Sequence, residues 1–237
     1  MSPPRVAVRK KCARAPCNDF PKLRSWWKER RFHPCGKLTG IIALTESAST
    51  ARLRATFAVY IGLVAATTVV GPVSLSAAWY YLSGAAGLAC VVIACLGRIW
   101  ASVFIAGHKD VELVTTGPYA RCRHPLYACS ILAALGLGLT SRSLVLCAIV
   151  LVLISALVIY AAACEEQFLL DAFPDEFKAY VAATPNKWWP GPRRVPLPEH
   201  LDVRPAVFWK SFLDAGSFFV LYLLVALAAE YRLLPAF

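Results

Sequence analysis

Leu126 to Glu166 reads LYACSILAALGLGLT, SRS, LVLCAIVLVLISALVIYAAAC, EE, and this stretch decides the fold. Two uncharged runs, 15 residues from Leu126 to Thr140 and 21 from Leu144 to Cys164, flank the break Ser141-Arg142-Ser143. Apolar runs of that length belong to helices that cross or nearly cross a bilayer. So short a polar break between them predicts a tight helical hairpin. The first arm reaches only about 22 Å at 1.5 Å per residue, short of a ~30 Å hydrocarbon core. Local thinning of the bilayer, or burial of that arm among other helices, is implied.

Working outward, Ala55 to Gly97 holds 43 residues without a charge, about 64 Å if helical, twice what one crossing needs. Gly71-Pro72 followed by Ser74-Leu75-Ser76 is the natural turn, because proline stops a helix and glycine tolerates the bend. Spans near 53–72 and 77–100 are expected. A last run, Ala215 to Ala229, spans only if its helix begins near Ala206 and takes Lys210 and Asp214 along as an i, i+4 pair. The expectation is an all-α polytopic membrane protein with about five transmembrane helices, including the hairpin at 126–164. Composition agrees: of 237 residues, 58% are hydrophobic and 16% charged, with a mean hydropathy of +0.56, against roughly 25% charge in soluble domains. A soluble globular protein is excluded, and no self-similar period suggests a repeat array.

The formal charge of +11 is concentrated in residues 1–56, which hold 13 Lys/Arg and 3 Asp/Glu. Attraction to anionic lipid headgroups is the reading adopted for this leader. No nucleic-acid partner is expected, since zinc, RNP-like and interleaved aromatic patterns are missing. No apolar signal core precedes Ile41, so a cleaved secretory signal is not expected, while an organelle transit peptide stays open. Residues 1–50 read as a basic, largely disordered leader with surface-bound turns around Trp26-Trp27, and 51–237 as the membrane domain. With the amino terminus inside, Lys109, Arg121, Arg123, Lys178, Lys187, Arg193, Arg194 and Arg204 gather on the cytoplasmic side, leaving Arg142 and Arg232 outside. Residues 108–125 and 165–205 then share the cytosolic face. The nine cysteines (Cys12, Cys17, Cys35, Cys90, Cys95, Cys122, Cys129, Cys147, Cys164) show no CxxC or zinc spacing. They predict neither a disulfide framework nor a metal site and read as small buried hydrophobes.

Two features hold the chemistry: Leu113-Val114-Thr115-Thr116-Gly117-Pro118-Tyr119 running into Arg123-His124-Pro125-Leu126-Tyr127, and Cys164-Glu165-Glu166-Gln167. A hairpin sets its two open ends side by side, so His124 and Tyr127 should face Glu165 and Glu166 across a short gap. Pro125 suits the first turn of a helix, with His124 as its cap and the free N–H groups of that turn able to hold an anion. Gly117-Pro118 predicts a tight turn where backbone approaches a ligand. A carboxylate at membrane depth usually has a functional reason, and one there can accept ribose hydroxyls. Tyr127, about one turn from His124, can stack on a base or face a cation. Tyr119 serves similarly or anchors at the interface. Phe173-Pro174-Asp175-Glu176-Phe177-Lys178-Ala179-Tyr180 reads as a helix restarting at the proline, followed by Pro185 and Trp188-Trp189-Pro190, whose tryptophans suit the aromatic belt; the segment is a lid over the site or an amphipathic surface helix.

These residues resemble a known family. LVTTGPY, RHPLY, the EE pair after a hairpin and the F-x-x-x-F-x-x-Y tail are similar to the isoprenylcysteine carboxyl methyltransferase family and its phospholipid methyltransferase relatives. The resemblance implies S-adenosylmethionine bound in a cytosol-facing pocket within residues 108–195, and a lipophilic, lipid or prenylated acceptor entering from the bilayer. Carried over by residue, Leu113, Val114, Gly117, Tyr119, His124, Pro125, Leu126, Tyr127, Glu165 and Glu166 would contact the cofactor, with Glu165 and His124 as the catalytic candidates. Where the prenyl-protein enzymes carry an arginine one turn before the glutamates, this chain has Tyr160-Ala161-Ala162-Ala163, leaving the acceptor open. Carboxylate acceptors need no general base, whereas amines, thiols and hydroxyls do. A sterol-reductase-like enzyme using NADPH and a non-enzymatic membrane scaffold are the alternatives.

Overall fold

In the computed structural model, residues 48–70, 76–106, 113–191, 203 and 205–231 are described, and all regular structure among them is helical. In chain order these are α1 (Ala48–Val70), α2 (Ala77–Ile105), a 3-10 turn (Gly117–Ala120), α3 (Pro125–Thr140), α4 (Leu144–Ala172), α5 (Pro174–Ala183) and α6 (Pro205–Tyr231). The basic leader, the Trp26-Trp27 turns and the Gly71-Pro72 turn lie outside the described residues.

Ser76 starts α2 by accepting the Trp79 N–H on its Oγ at 3.1 Å, and Ser143 does the same for α4 through the Leu146 N–H. Proline occupies the first turn of α3 and of α5, where its fixed φ initiates a helix at no loss of a hydrogen bond. The hairpin turn between α3 and α4 puts Arg142 at φ 60°, a strained value for a residue with a side chain. Its guanidinium offsets that strain: it donates to the Tyr80 carbonyl, lies 4.0 Å over the Tyr80 ring and sits 3.8 Å from Glu230.

Among the described residues three helices are long and apolar enough to cross a membrane: Ala77–Ile105, Leu144–Asp171 and Phe208–Tyr231. Of the about five spans expected, these three meet the length and composition of a crossing. The apolar segments Arg54–Val70 and Pro125–Thr140 are shorter, about 25 and 24 Å, less than a full crossing. Helix α3 is enclosed: none of its residues is exposed. Its small residues let backbones touch. A Cβ on Gly87 of α2 would lie 2.8 Å from the Gly136 carbonyl oxygen of α3, and one on Gly136 would meet the Gly87 oxygen at 2.8 Å. Such close approach is how helices associate where lipid removes the hydrophobic drive between them.

The core joins Tyr60 and Leu63 of α1, Val91 of α2, Leu137 of α3, Ile154 of α4 and Val225 of α6. The outer faces carry Ile93, Leu96, Val152, Ile159 and Leu227, each more than half exposed, a surface suited to acyl chains rather than water. Asp214 does not pair along α6 with Lys210. It pairs across the bundle with Arg98 of α2, because α2 and α6 meet there. The six described cysteines are free thiols, and Cys95 donates to the Ala215 carbonyl at 3.2 Å.

Candidate active site

The carboxyl end of α4 lies against the amino end of α3, as a hairpin requires. His124 is the residue before α3, yet its ring does not cap the helix. Its Nε2 lies 2.9 Å from Glu166 Oε1. Arg123 Nη1 donates to the same oxygen at 2.9 Å, and Lys187 Nζ donates to Oε2 at 3.0 Å. Glu166 is thereby held as a carboxylate by two cations and an imidazole.

Glu165 differs. It is half-buried, and among the described residues it has no hydrogen-bond or ion-pair partner. Near it stands Tyr119, buried in the 3-10 turn, whose hydroxyl has no hydrogen-bond partner. Burial first, and then the Glu165 and Tyr180 side chains, push the Tyr119 phenol above its ordinary range, while Arg98 pulls it down. A buried hydroxyl without a partner is expensive. Tyr119 thus offers a buried donor, and Glu165 offers acceptor oxygens, at the same end of the bundle.

The surroundings hold that pair in place. Gly117 begins the turn at φ 59°, and a Cβ there would strike the Phe104 ring of α2, so glycine is needed on both counts. Tyr180 of α5 donates to the Tyr119 carbonyl at 2.7 Å, and burial raises its phenol as well. Leu113 and Val114 lead into the turn half-buried, and Pro118 is buried. Pro125 is buried in the first turn of α3. The Leu126 carbonyl accepts from Ser130 Oγ at 3.0 Å and faces Arg98 Nη1 at 3.5 Å. The Tyr127 ring stacks on His124, centroids 5.6 Å apart.

The cover over this end is the loop after α5. The N–H groups of Arg123 and His124 donate to the Asn186 and Lys187 carbonyls at 3.0 and 3.1 Å. The Gly191 N–H donates to the Arg121 carbonyl at 2.9 Å, and Arg121 Nε returns a bond to the Gly191 carbonyl at 3.1 Å. This strap lays Trp188 across His124 at 5.6 Å. His124 is left 6% exposed, so the helix-start N–H that sequence offers to an anion is partly spent on the strap. A cavity of about 580 Å³ opens elsewhere, at the carboxyl end of α6 beside Val64, Thr68, Leu224 and Glu230.

The structure thus brings His124, Tyr127, Tyr119, Glu165 and Glu166 to one end of the bundle but gives the His124 contact to Glu166. Sequence reasoning named Trp188 in a possible lid but gave it no partner, and missed Lys187 as a partner of Glu166, since a loop closing from 60 residues away leaves no spacing signal. It also missed Arg98, which did carry one: a lone charge in an apolar helix of 29 residues.

Residues 85–176 match the family model described as phospholipid methyltransferase, in line with the resemblance read from the motifs. The chain is 41% identical over 99 residues to the cobalt-zinc-cadmium resistance protein CzcN of Cupriavidus metallidurans. It is 44% identical over 99 residues to the nickel-cobalt-cadmium resistance protein NccN of Alcaligenes xylosoxydans xylosoxydans. Each alignment takes in 42% of this chain and 45% and 46% of the relatives, respectively, so less than half of either relative is matched. No solved structure matches the chain.

Proposed function

We propose, from the premise that residues 85–176 form a phospholipid methyltransferase domain in a membrane protein, that the chain transfers a methyl group from S-adenosylmethionine to a lipophilic acceptor. The observation that carries this reading is the buried Tyr119 hydroxyl without a hydrogen-bond partner, at the end of the bundle where Glu165 also has no partner among the described residues. A polar, hydroxyl-bearing cofactor satisfies both. Bound there, it supplies an electrophilic methyl on a sulfonium.

The chain's own residues then do four things. Tyr119 and Glu165 bind hydroxyl and amine groups, with Leu113 and Val114 as apolar neighbours. Arg123, His124 and Lys187 fix Glu166, which in turn fixes the end of α4 and therefore Glu165. Trp188 and the strap exclude water from the reacting groups, whose alignment within about 3 to 3.5 Å is the main requirement of in-line displacement. Where the acceptor is an amine, thiol or hydroxyl, Glu165 takes the proton, because the His124 Nε2 is engaged with Glu166.

In this reading the amino terminus and the site face the cytoplasm, on the basic side of the chain, and the leader rests on anionic headgroups. The acceptor is a lipid, a prenylated molecule or another lipophilic compound. The two metal-resistance relatives favour a role in metal stress exercised through the membrane.

The test is S-adenosylhomocysteine binding to the purified protein in detergent, repeated with Glu165→Gln, Tyr119→Phe and Tyr127→Ala. Weakened binding in the first two is expected. Unchanged affinity in all three removes the proposed pocket. Incubating membranes with labelled methyl donor and partitioning the label among lipid, protein and small molecules then identifies the acceptor class.

A further inference from the structure

Arg98 is the single charged residue of α2 and stands seven residues before the helix ends, about 10 Å along its axis. It pairs with Asp214 of α6, donates to Ser130 Oγ of α3 at 3.0 Å and lies 5.5 Å over the Phe218 ring. The pair is only partly covered, its side chains 20% and 35% exposed. Next to Asp214 and Lys210 on α6, Leu213 and Trp209 are exposed apolar surface.

The charges there do not balance. Lys210 sits one turn before Asp214 on the same face of α6, exposed, and among the described residues it has no partner. Two cations against one carboxylate leave a net positive charge at an apolar flank, where an unbalanced charge is costly. Trp209 and Phe212, stacked at 5.5 Å, mark the level at which headgroups meet acyl chains.

We propose that this seam between α2 and α6, where Arg98 meets Asp214 below Lys210, is a binding site for the acidic group of a membrane amphiphile, phosphate or carboxylate. Asp214 is the internal stand-in. It occupies the Arg98 guanidinium until an incoming anion shares or replaces it, while Lys210 neutralises the remaining charge from the headgroup side. The site adjoins the candidate active site, since Arg98 also reaches the Leu126 carbonyl in the first turn of α3. If the methyl-transfer reading holds, on which this last step rests, the amphiphile seated here is the acceptor.

The protein is placed in nanodiscs of phosphatidylcholine containing a minor fraction of either phosphatidylglycerol or a long-chain fatty acid, and the amphiphile retained is measured by native mass spectrometry. The phosphatidylglycerol arm reports phosphate and the fatty-acid arm carboxylate; enrichment of either supports the site. Arg98→Gln and Lys210→Gln each weaken retention by about tenfold, the loss of one charge-assisted contact. Asp214→Asn strengthens it, because the competing carboxylate is gone. An ion pair that only anchors α6, with a lysine reaching for water, predicts the opposite for Asp214→Asn. No enrichment in the wild type, or equal retention in the wild type, Lys210→Gln and Asp214→Asn, overturns the proposal. Lys210→Gln and Asp214→Asn keep the test open if Arg98→Gln does not fold. Nucleoside binding is measured separately on the same samples, so its failure counts against methyl transfer and not against this site.

Discussion

Glu166 Oε1 lies 2.9 Å from His124 Nε2 and is shared with Arg123, whereas its neighbour Glu165, one position earlier on α4, meets none of them. One carboxylate ties three segments of the fold together, and the proposed function assigns the other to the cofactor. Glu166→Gln is expected to lower stability by about 2 kcal/mol by leaving Arg123 and Lys187 opposite a neutral amide. Glu165→Gln is expected to change it by less than about 0.5 kcal/mol while weakening nucleoside binding. Thermal unfolding in detergent, run beside the binding assay, separates the two, and an equal loss of stability in both variants contradicts the division.

Gly117→Ala combines a positive φ with the Phe104 ring in the path of the new methyl. A loss of about 2 to 4 kcal/mol is expected. Phe104→Leu in the same chain should restore only part of it, since the backbone strain stays. Complete restoration would show that the dihedral contributes nothing.

Arg142 makes the opposite case. It tolerates φ 60° through its contacts with Tyr80 and Glu230. Both Arg142→Ala and Arg142→Gly lose those contacts, but glycine also loses the strain. The glycine variant should therefore melt higher than the alanine variant by the equivalent of about 1 kcal/mol. The reverse order would mean the turn relaxes when the guanidinium leaves.

Cys122 is buried between the 3-10 turn and α3, and burial pushes its thiol up to about 11 from an ordinary 9.0. Its raised value favours the neutral thiol in the folded state, so this contribution to stability is complete below pH 9 and is lost as pH climbs through about 11. Maleimide labelling at pH 7.5, followed by peptide mapping, should leave Cys122 unmodified in the folded protein and modify it on unfolding. Rapid labelling of Cys122 in the folded state would be the contrary result.

Uncharged length and the position of prolines determined a great deal by themselves. Helix starts at Pro125 and Pro174 follow from the residue that cannot continue a chain of backbone hydrogen bonds but can begin one. The hairpin and its open end follow from two apolar runs and a three-residue break, and with them the meeting of the RHPLY segment and the EE pair. What the linear order left undetermined is side-chain partnership. Whether Glu165 or Glu166 meets His124 turns on a 100° step around α4, which only the packing of that helix against α3 decides. Lys187 and Trp188 arrive by a loop, and Asp214 turns from Lys210 on its own helix to Arg98 on another because the guanidinium there is less hydrated and already held by Ser130. The surroundings of α3 were decided in the same way: it has the composition of a membrane helix, and its glycines approach the backbones of neighbouring helices, which only the packing reveals.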